Sequence, residues 1–144
     1  MTTGERERVL SLRATDEKDF SVISAFLQNG LVRLQDMIYL QEDQQFIVLV
    51  DRLVREGRLV DKSEHVEGNR VQTGLCFEGV MSVRVRGVAQ EDRNTLLQFI
   101  TVAYIPGEIS LIFDQEAVIR LRGDSLICLF RDLDVSFSIG GDSV

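Results

Sequence analysis

Apolar and polar residues change rhythm once along this chain, and the change divides it. Between residues 16 and 28 the apolar positions Phe20, Ile23 and Leu27 fall three and four apart, with Val22 and Phe26 widening the stripe. That spacing lines one face of a helix. Thr15 or Asp16 can cap its start by accepting a free backbone N–H, and Asp16, Glu17 and Asp19 place negative charge at the positive end of the helix dipole. Asn29 and Gly30 stop it, because both residue types tolerate a left-handed backbone. Ahead of it, residues 9–13 set Leu10 and Leu12 against Ser11 and Arg13, the alternation of a short half-buried strand.

From Leu31 onward the dominant period is two. Residues 31–34 and 37–40 are strand pieces around Gln35 and Asp36, and Glu42, Asp43 and Gln44 make the next turn. The run 45–51 is apolar on both faces, which predicts a central strand covered on each side. Residues 55–69 form one long polar loop. Strand signals return at 71–77, then at 81–86, where Met81, Val83 and Val85 face one way and Ser82, Arg84 and Arg86 the other. Residues 95–105 make the longest strand, Pro106 and Gly107 reverse the chain, and 109–113 is its hairpin partner. After Asp114 and Gln115, Ala117, Ile119 and Leu121 oppose Val118, Arg120 and Arg122. Asp124 or Ser125 can cap a closing helix whose stripe is Leu126, Ile127, Leu129, Phe130 and Leu133. Residues 1–8 are a flexible lead-in, and 134–144 a short strand or loose tail.

The sum is one α+β domain over residues 9–133, with a helix near each end and about seven antiparallel strands between them. It predicts an antiparallel β-rich roll or partly open barrel of the pleckstrin-homology-like kind, its C-terminal helix plugging one end. A split or flattened antiparallel sheet with both helices on one face is the competing arrangement. At 144 residues, 44 % of them hydrophobic and only one a proline, collagen-like, mucin-like and disordered classes are excluded. A formal charge of -7 repels a phosphate backbone over most of the surface, which argues against general nucleic-acid binding. Cys76 and Cys128 lie in apolar periodic segments without a zinc-like cluster, so they are expected as buried free thiols in a reducing compartment. The polar N-terminus is unlike a secretory signal, and no apolar run approaches the roughly 20 residues that cross a bilayer. Cytoplasmic residence is the expectation.

The segment Leu12-Arg13-Ala14, Asp16, Asp19-Phe20, Val22-Ile23-Ser24-Ala25 and Leu27-Gln28-Asn29 resembles the opening of a small alphaproteobacterial family, domain of unknown function 2948. The resemblance continues through Asp36-Met37, Tyr39-Leu40, Phe46, Val48-Leu49-Val50-Asp51-Arg52, Leu75-Cys76-Phe77, Val80, Ser82-Val83 and the strands at 109–113 and 117–121, covering residues 9–133. The family pattern prefers an Asn-Arg-Phe-x-Trp-Glu run where this chain has Asp51-Arg52-Leu53-Val54-Arg55-Glu56. Arg52 and Glu56 match it, whereas Asp51, Leu53 and Arg55 depart, and the chain has no tryptophan. If the family tryptophan contributes to a binding surface, that surface is altered here. What the resemblance implies is a cytoplasmic bacterial protein, with no chemistry to carry over onto any residue.

No catalytic constellation is visible in the sequence. His65, with Asp61, Glu64 and Glu67, could capture a divalent cation, but the spacing matches no metal motif and a solvated loop is the expected reading. No nucleophile elbow, phosphate loop or dinucleotide fingerprint is present, and Gly140 and Gly141 are a weak signal. No cofactor is called for. Asp36 and Asp51 sit beside apolar runs; with Arg52 they could line a pocket, and pairing with Arg33 or Arg52 is the alternative. The strongest feature is the arginine alternation. If the strands bearing Arg84 and Arg86 and Arg120 and Arg122 are neighbours, four guanidinium groups converge on one face, unless Glu78, Glu108 and Glu116 pair with them. A non-catalytic binding or assembly module is the expected function, taking an acidic protein or small anionic ligand, or pairing edge to edge as a homodimer. The alternative is a small hydrolase or ligand-processing enzyme built on isolated aspartates and arginines in a pocket.

Overall fold

The computed structural model describes residues 10–53, 70–89 and 91–133. The first strand, β1 (Ser11–Ala14), leads into α1 (Glu17–Leu27), which starts as its sequence predicts. Asp16 accepts from the Asp19 N–H at 2.9 Å, and Asp19 Oδ2 accepts in return from the Thr15 N–H at 3.1 Å. This reciprocal cap satisfies donors that the first turn leaves free. The helix stops where expected, with Asn29 taking the left-handed conformation at φ 72°. Gly30 serves for close approach: a Cβ there would meet Val50 Cγ1 at 2.7 Å.

Nine further strands follow. They are β2 (Leu31–Arg33), β3 (Met37–Leu40), β4 (Gln45–Leu53), β5 (Arg70–Glu78), β6 (Ser82–Arg86), β7 (Leu96–Ile105), β8 (Glu108–Phe113), β9 (Val118–Arg122) and β10 (Ile127–Asp132). All pair antiparallel in one sheet of order β1-β10-β5-β4-β2-β7-β8-β9-β6, with β3 on the same edge of β4 as β2. A short 3-10 turn, Leu34–Asp36, separates β2 from β3, where the two strand pieces were expected to break. The β7–β8 reversal at Pro106 and Gly107 is also as expected, with Gly107 at φ 90°.

The expected C-terminal helix, the architecture built on it and the two-sided cover of the central strand are corrected. The predicted C-terminal helix is strand β10, which lies between β1 and β5 and pairs with both. Its residues are apolar on both faces, so a short run fits helix and strand spacing alike; the two open edges beside it decide the matter. Without a second α-helix among the described residues, the sheet is largely open, and the pleckstrin-homology-like roll or barrel with a helix plug is overturned. Of the competing arrangement, the open antiparallel sheet stands and the second helix does not. Strand β4 is central in the sheet but covered on one face only. Phe46, Val48, Val50 and Arg52 are buried, while Ile47 and Leu49 are half-exposed. Ile38, Ile47, Cys76 and Leu129 form an apolar row across β3, β4, β5 and β10 on that outer side.

Helix α1 buries Phe20, Ile23 and Leu27, whereas Val22 and Phe26 are exposed rather than part of the buried stripe. Beyond the short run of β2, α1 covers the edge of β7. The Val102 N–H donates to Ser24 Oγ at 2.9 Å, and Phe20 stacks on Tyr104 with ring centroids 4.5 Å apart. The core continues under the second half of the sheet through Phe99, Ile109, Leu111, Phe113, Ile119 and Leu121. The lead-in 1–8, the whole of the polar loop 55–69 and the tail 134–144 lie outside the described residues.

Because Gly30 brings α1's end against β4, Gly30→Ala is expected to cost about 1–3 kcal/mol of unfolding free energy in urea titrations. Gly30→Ala/Val50→Ala should lose less than the sum of the two single losses, since the second change removes the obstructing methyl group.

Candidate functional site

The arginines named from alternation are placed by the β6–β9–β8 register. Ser82 faces Arg122, Arg84 faces Arg120 and Arg86 faces Val118, so the strands bearing them are direct neighbours. The apolar parity of both strands turns Ile119, Leu121, Val83 and Val85 toward the core, and the arginines outward. All four are exposed on one face. In the next strand Glu108 faces Arg122 and Ser110 faces Arg120.

Only one carboxylate answers them among the described residues. Glu108 Oε1 accepts from Arg122 Nε at 3.1 Å, and Glu108 Oε2 lies 3.5 Å from Arg120 Nε. Of the three glutamates expected as partners, Glu78 and Glu116 make no such pair. Arg84 and Arg86 form no ion pair among the described residues, and Arg84 stands directly opposite Arg120. Like charges directly opposite across a strand pair repel. The face therefore carries four positive charges against one negative, within a chain whose total is -7.

Asp36, Asp51 and Arg52 do not come together. Asp51 and Arg52 are successive residues of β4 and point to opposite faces. Asp51 is exposed and pairs with Arg70, whose Nε donates at 2.9 Å, rather than with Arg52. Asp36 is half-buried in the 3-10 turn and makes no ion pair with Arg33 among the described residues.

Arg52 instead has a set of partners that sequence spacing did not bring to light. Its side chain is buried; Nε donates to Thr73 Oγ1 at 2.9 Å, and Nη2 donates to both carboxylate oxygens of Asp132 at 3.0 and 2.8 Å. Thr73 Oγ1 in turn donates to Asp132 Oδ1 at 2.6 Å. The guanidinium carbon lies 5.5 Å from the ring centroid of Phe26 and 5.2 Å from that of Phe130, and the two rings pack 5.8 Å apart, so a residue of α1 and one of β10 face the cation together. The available signal was an arginine at an inward-facing position of an apolar strand, which must find an anion. Its partner is 80 residues away in sequence. This cluster holds charge in place; with the guanidinium neutralised by Asp132 and its Nε and Nη2 donors engaged, it is a structural tie.

The cysteines are free and sit on neighbouring strands. Cys128 points into the core, and Cys76 lies on the outer row. Burial raises the Cys128 thiol well above its ordinary range, with Cys76 adding to the effect; burial and then Glu78 raise Cys76. Neither is disposed toward the thiolate that nucleophilic chemistry needs. Among the described residues no cluster of three or more histidine, cysteine, aspartate or glutamate side chains could hold a metal ion, and no helix is long and apolar enough to cross a membrane. The His65 group and the paired Gly140 and Gly141 lie outside the described residues.

Removing either partner of the buried pair leaves an uncompensated charge. Arg52→Leu and Asp132→Asn should each lower stability by about 3–5 kcal/mol in urea unfolding. The double variant Arg52→Leu/Asp132→Leu should recover a large part of the loss.

Cys128 also sets a pH dependence. Its folded-state pKa is raised above the unfolded value near 9.0, so above that pH the unfolded chain releases a proton that the folded chain keeps. The stabilisation is whole below pH 9.0 and declines above it, by up to about 1.4 kcal/mol per pH unit. Chemical denaturation of the wild type and Cys128→Ala from neutral to alkaline pH should show the steeper decline in the wild type.

No curated protein and no solved structure matches the chain at a significant level. A family model described as a protein of unknown function, DUF2948, matches residues 10–140, from the residue before β1 to beyond the last described strand. That span includes every described strand, and the chain belongs to the DUF2948 family.

Proposed function

We propose that this chain is a non-catalytic binding module whose β6–β9 face captures an acidic protein segment. One observation carries the reading: Arg84 and Arg120 stand directly opposite each other on an exposed face, with no carboxylate between them. Two guanidinium groups held so cost folding free energy through repulsion, and an incoming anion relieves it. Arginine also pairs with carboxylates through two parallel hydrogen bonds, which favours side-chain acids over diffuse charge. The total of -7 works in the same direction by disfavouring polyanions that would spread over the whole surface.

A homodimer through β6 fits less well. A symmetric antiparallel pairing centred on the middle of β6 sets Arg84 against its own copy, adding repulsion to the pair already present. Cytoplasmic residence belongs to the same proposal, and the free inward thiol of Cys128 fits a reducing compartment.

The test is binding of a fluorescent oligo-glutamate peptide, followed by anisotropy. Binding to the wild type should weaken steadily as salt rises toward about 0.15 M, where the Debye length is ~8 Å. Arg84→Glu/Arg120→Glu should reduce it at least about tenfold while thermal unfolding stays cooperative. Glu108→Gln, which releases Arg120 and Arg122 from their carboxylate, should strengthen it. Equal binding by all three proteins would sink the proposal.

A further inference from the structure

We infer that the acidic segment is taken as an extra β-strand along the open edge of β6, and that its sequence alternates acidic and apolar residues. This rests on the reading of the arginine face given above and specifies the partner that face accepts.

The argument begins with which backbone groups β6 leaves unpaired. The Gly123 N–H donates to the Gly107 carbonyl, and the Phe113 N–H donates to the Ala117 carbonyl. Continued along the β8–β9 register, these bonds assign the N–H and C=O groups of Ile119 and Leu121 to β8. Successive residues of a strand turn their backbone groups to opposite sides, so Val118, Arg120 and Arg122 bond toward β6. Through the β6–β9 register, the backbone groups of Ser82, Arg84 and Arg86 are thereby used. Those of Val83 and Val85 are directed away from β9. That side of β6 is the end of the sheet, and β9 is its only hydrogen-bonded strand among the described residues.

The side chains then define the occupant. A strand added antiparallel to β6 meets Val83 and Val85 at its hydrogen-bonded positions, and Arg84 and Arg86 at the alternate ones. Directly opposite side chains come closer at non-hydrogen-bonded positions, with Cα atoms about 4.5 Å apart. The added residues facing Arg84 and Arg86 therefore sit where a carboxylate pairs best. On the other face Val83 and Val85 are only partly buried against the core, so an apolar side chain opposite each extends that core. Backbone pairing at a free edge supplies affinity, and the alternating side chains supply selectivity. An acidic–apolar–acidic–apolar segment satisfies both faces at once.

The experiment uses a peptide of alternating glutamate and valine with the full chain, read by anisotropy. In the proposed register the valine N–H groups of the peptide point at β6 and the glutamate N–H groups point away. N-methylation of the valines should weaken binding at least about tenfold, whereas N-methylation of the glutamates should leave it close to that of the unmodified peptide. With unmodified peptide bound, amide exchange should slow at Val83 and Val85. If the two methylated peptides bind alike, or those two amides exchange unchanged, strand addition is overturned while capture of acidic segments stands. If neither the alternating peptide nor oligo-glutamate binds, both are overturned.

Discussion

The fold is organised around one buried cation. Arg52 projects from β4 into the apolar side of the sheet, where an unpaired guanidinium would cost far more than any single packing contact returns. Its four partners come from three other elements: Thr73 on β5, Asp132 and Phe130 on β10, and Phe26 on α1. The cluster therefore does more than satisfy a charge. A slip of one residue in β4 would turn Arg52 outward and leave Asp132 and Thr73 facing hydrocarbon, so the ion pair discriminates strongly against wrong registers. It also lies close to where β4 and β10 end, which holds three adjacent strands together at the side from which the chain departs.

With that half secured, the rest of the sheet can place charge differently. In β4, β5 and β10 the charged cluster is inside, and an apolar row of Ile38, Ile47, Cys76 and Leu129 lies on the outer side. In β8, β9 and β6 the interior is wholly apolar, with Ile109, Leu111, Ile119 and Leu121 fully buried, and charge is outside. The repulsion between Arg84 and Arg120 is tolerable because water screens it and the apolar packing beneath is worth much more. Packing of Ile119, Leu121, Val83 and Val85 against the core fixes the register that sets Arg84 opposite Arg120.

Much of this was legible from residue pattern. The helix cap at Asp16, the stop at Asn29, the reversal at Pro106 and Gly107, and the outward arginines at 84, 86, 120 and 122 all follow from rules that act within a few residues. Those rules work because dihedral preference and side-chain parity are local properties. The segment 126–133 escaped them. Ile127, Cys128, Leu129 and Phe130 are apolar on both faces, and such a run supports a helical stripe as readily as a strand. What made it β10 was the presence of two strands, β1 and β5, with unsatisfied backbone groups on either side of it.

The candidate site divides in the same way. Sequence by itself determined that each arginine pair shares one face of its strand, since alternation admits no other reading once the strand exists. Only the tertiary structure decided that the two pairs are neighbours, that Arg84 stands against Arg120, that Glu108 rather than Glu78 or Glu116 reaches the face, and that Asp51 and Arg52 look in opposite directions toward different partners. The physical reason is that strand pairing is a contact between segments far apart in the chain. Its order is chosen by the total of buried area and satisfied hydrogen bonds over the whole sheet, which no window of sequence contains.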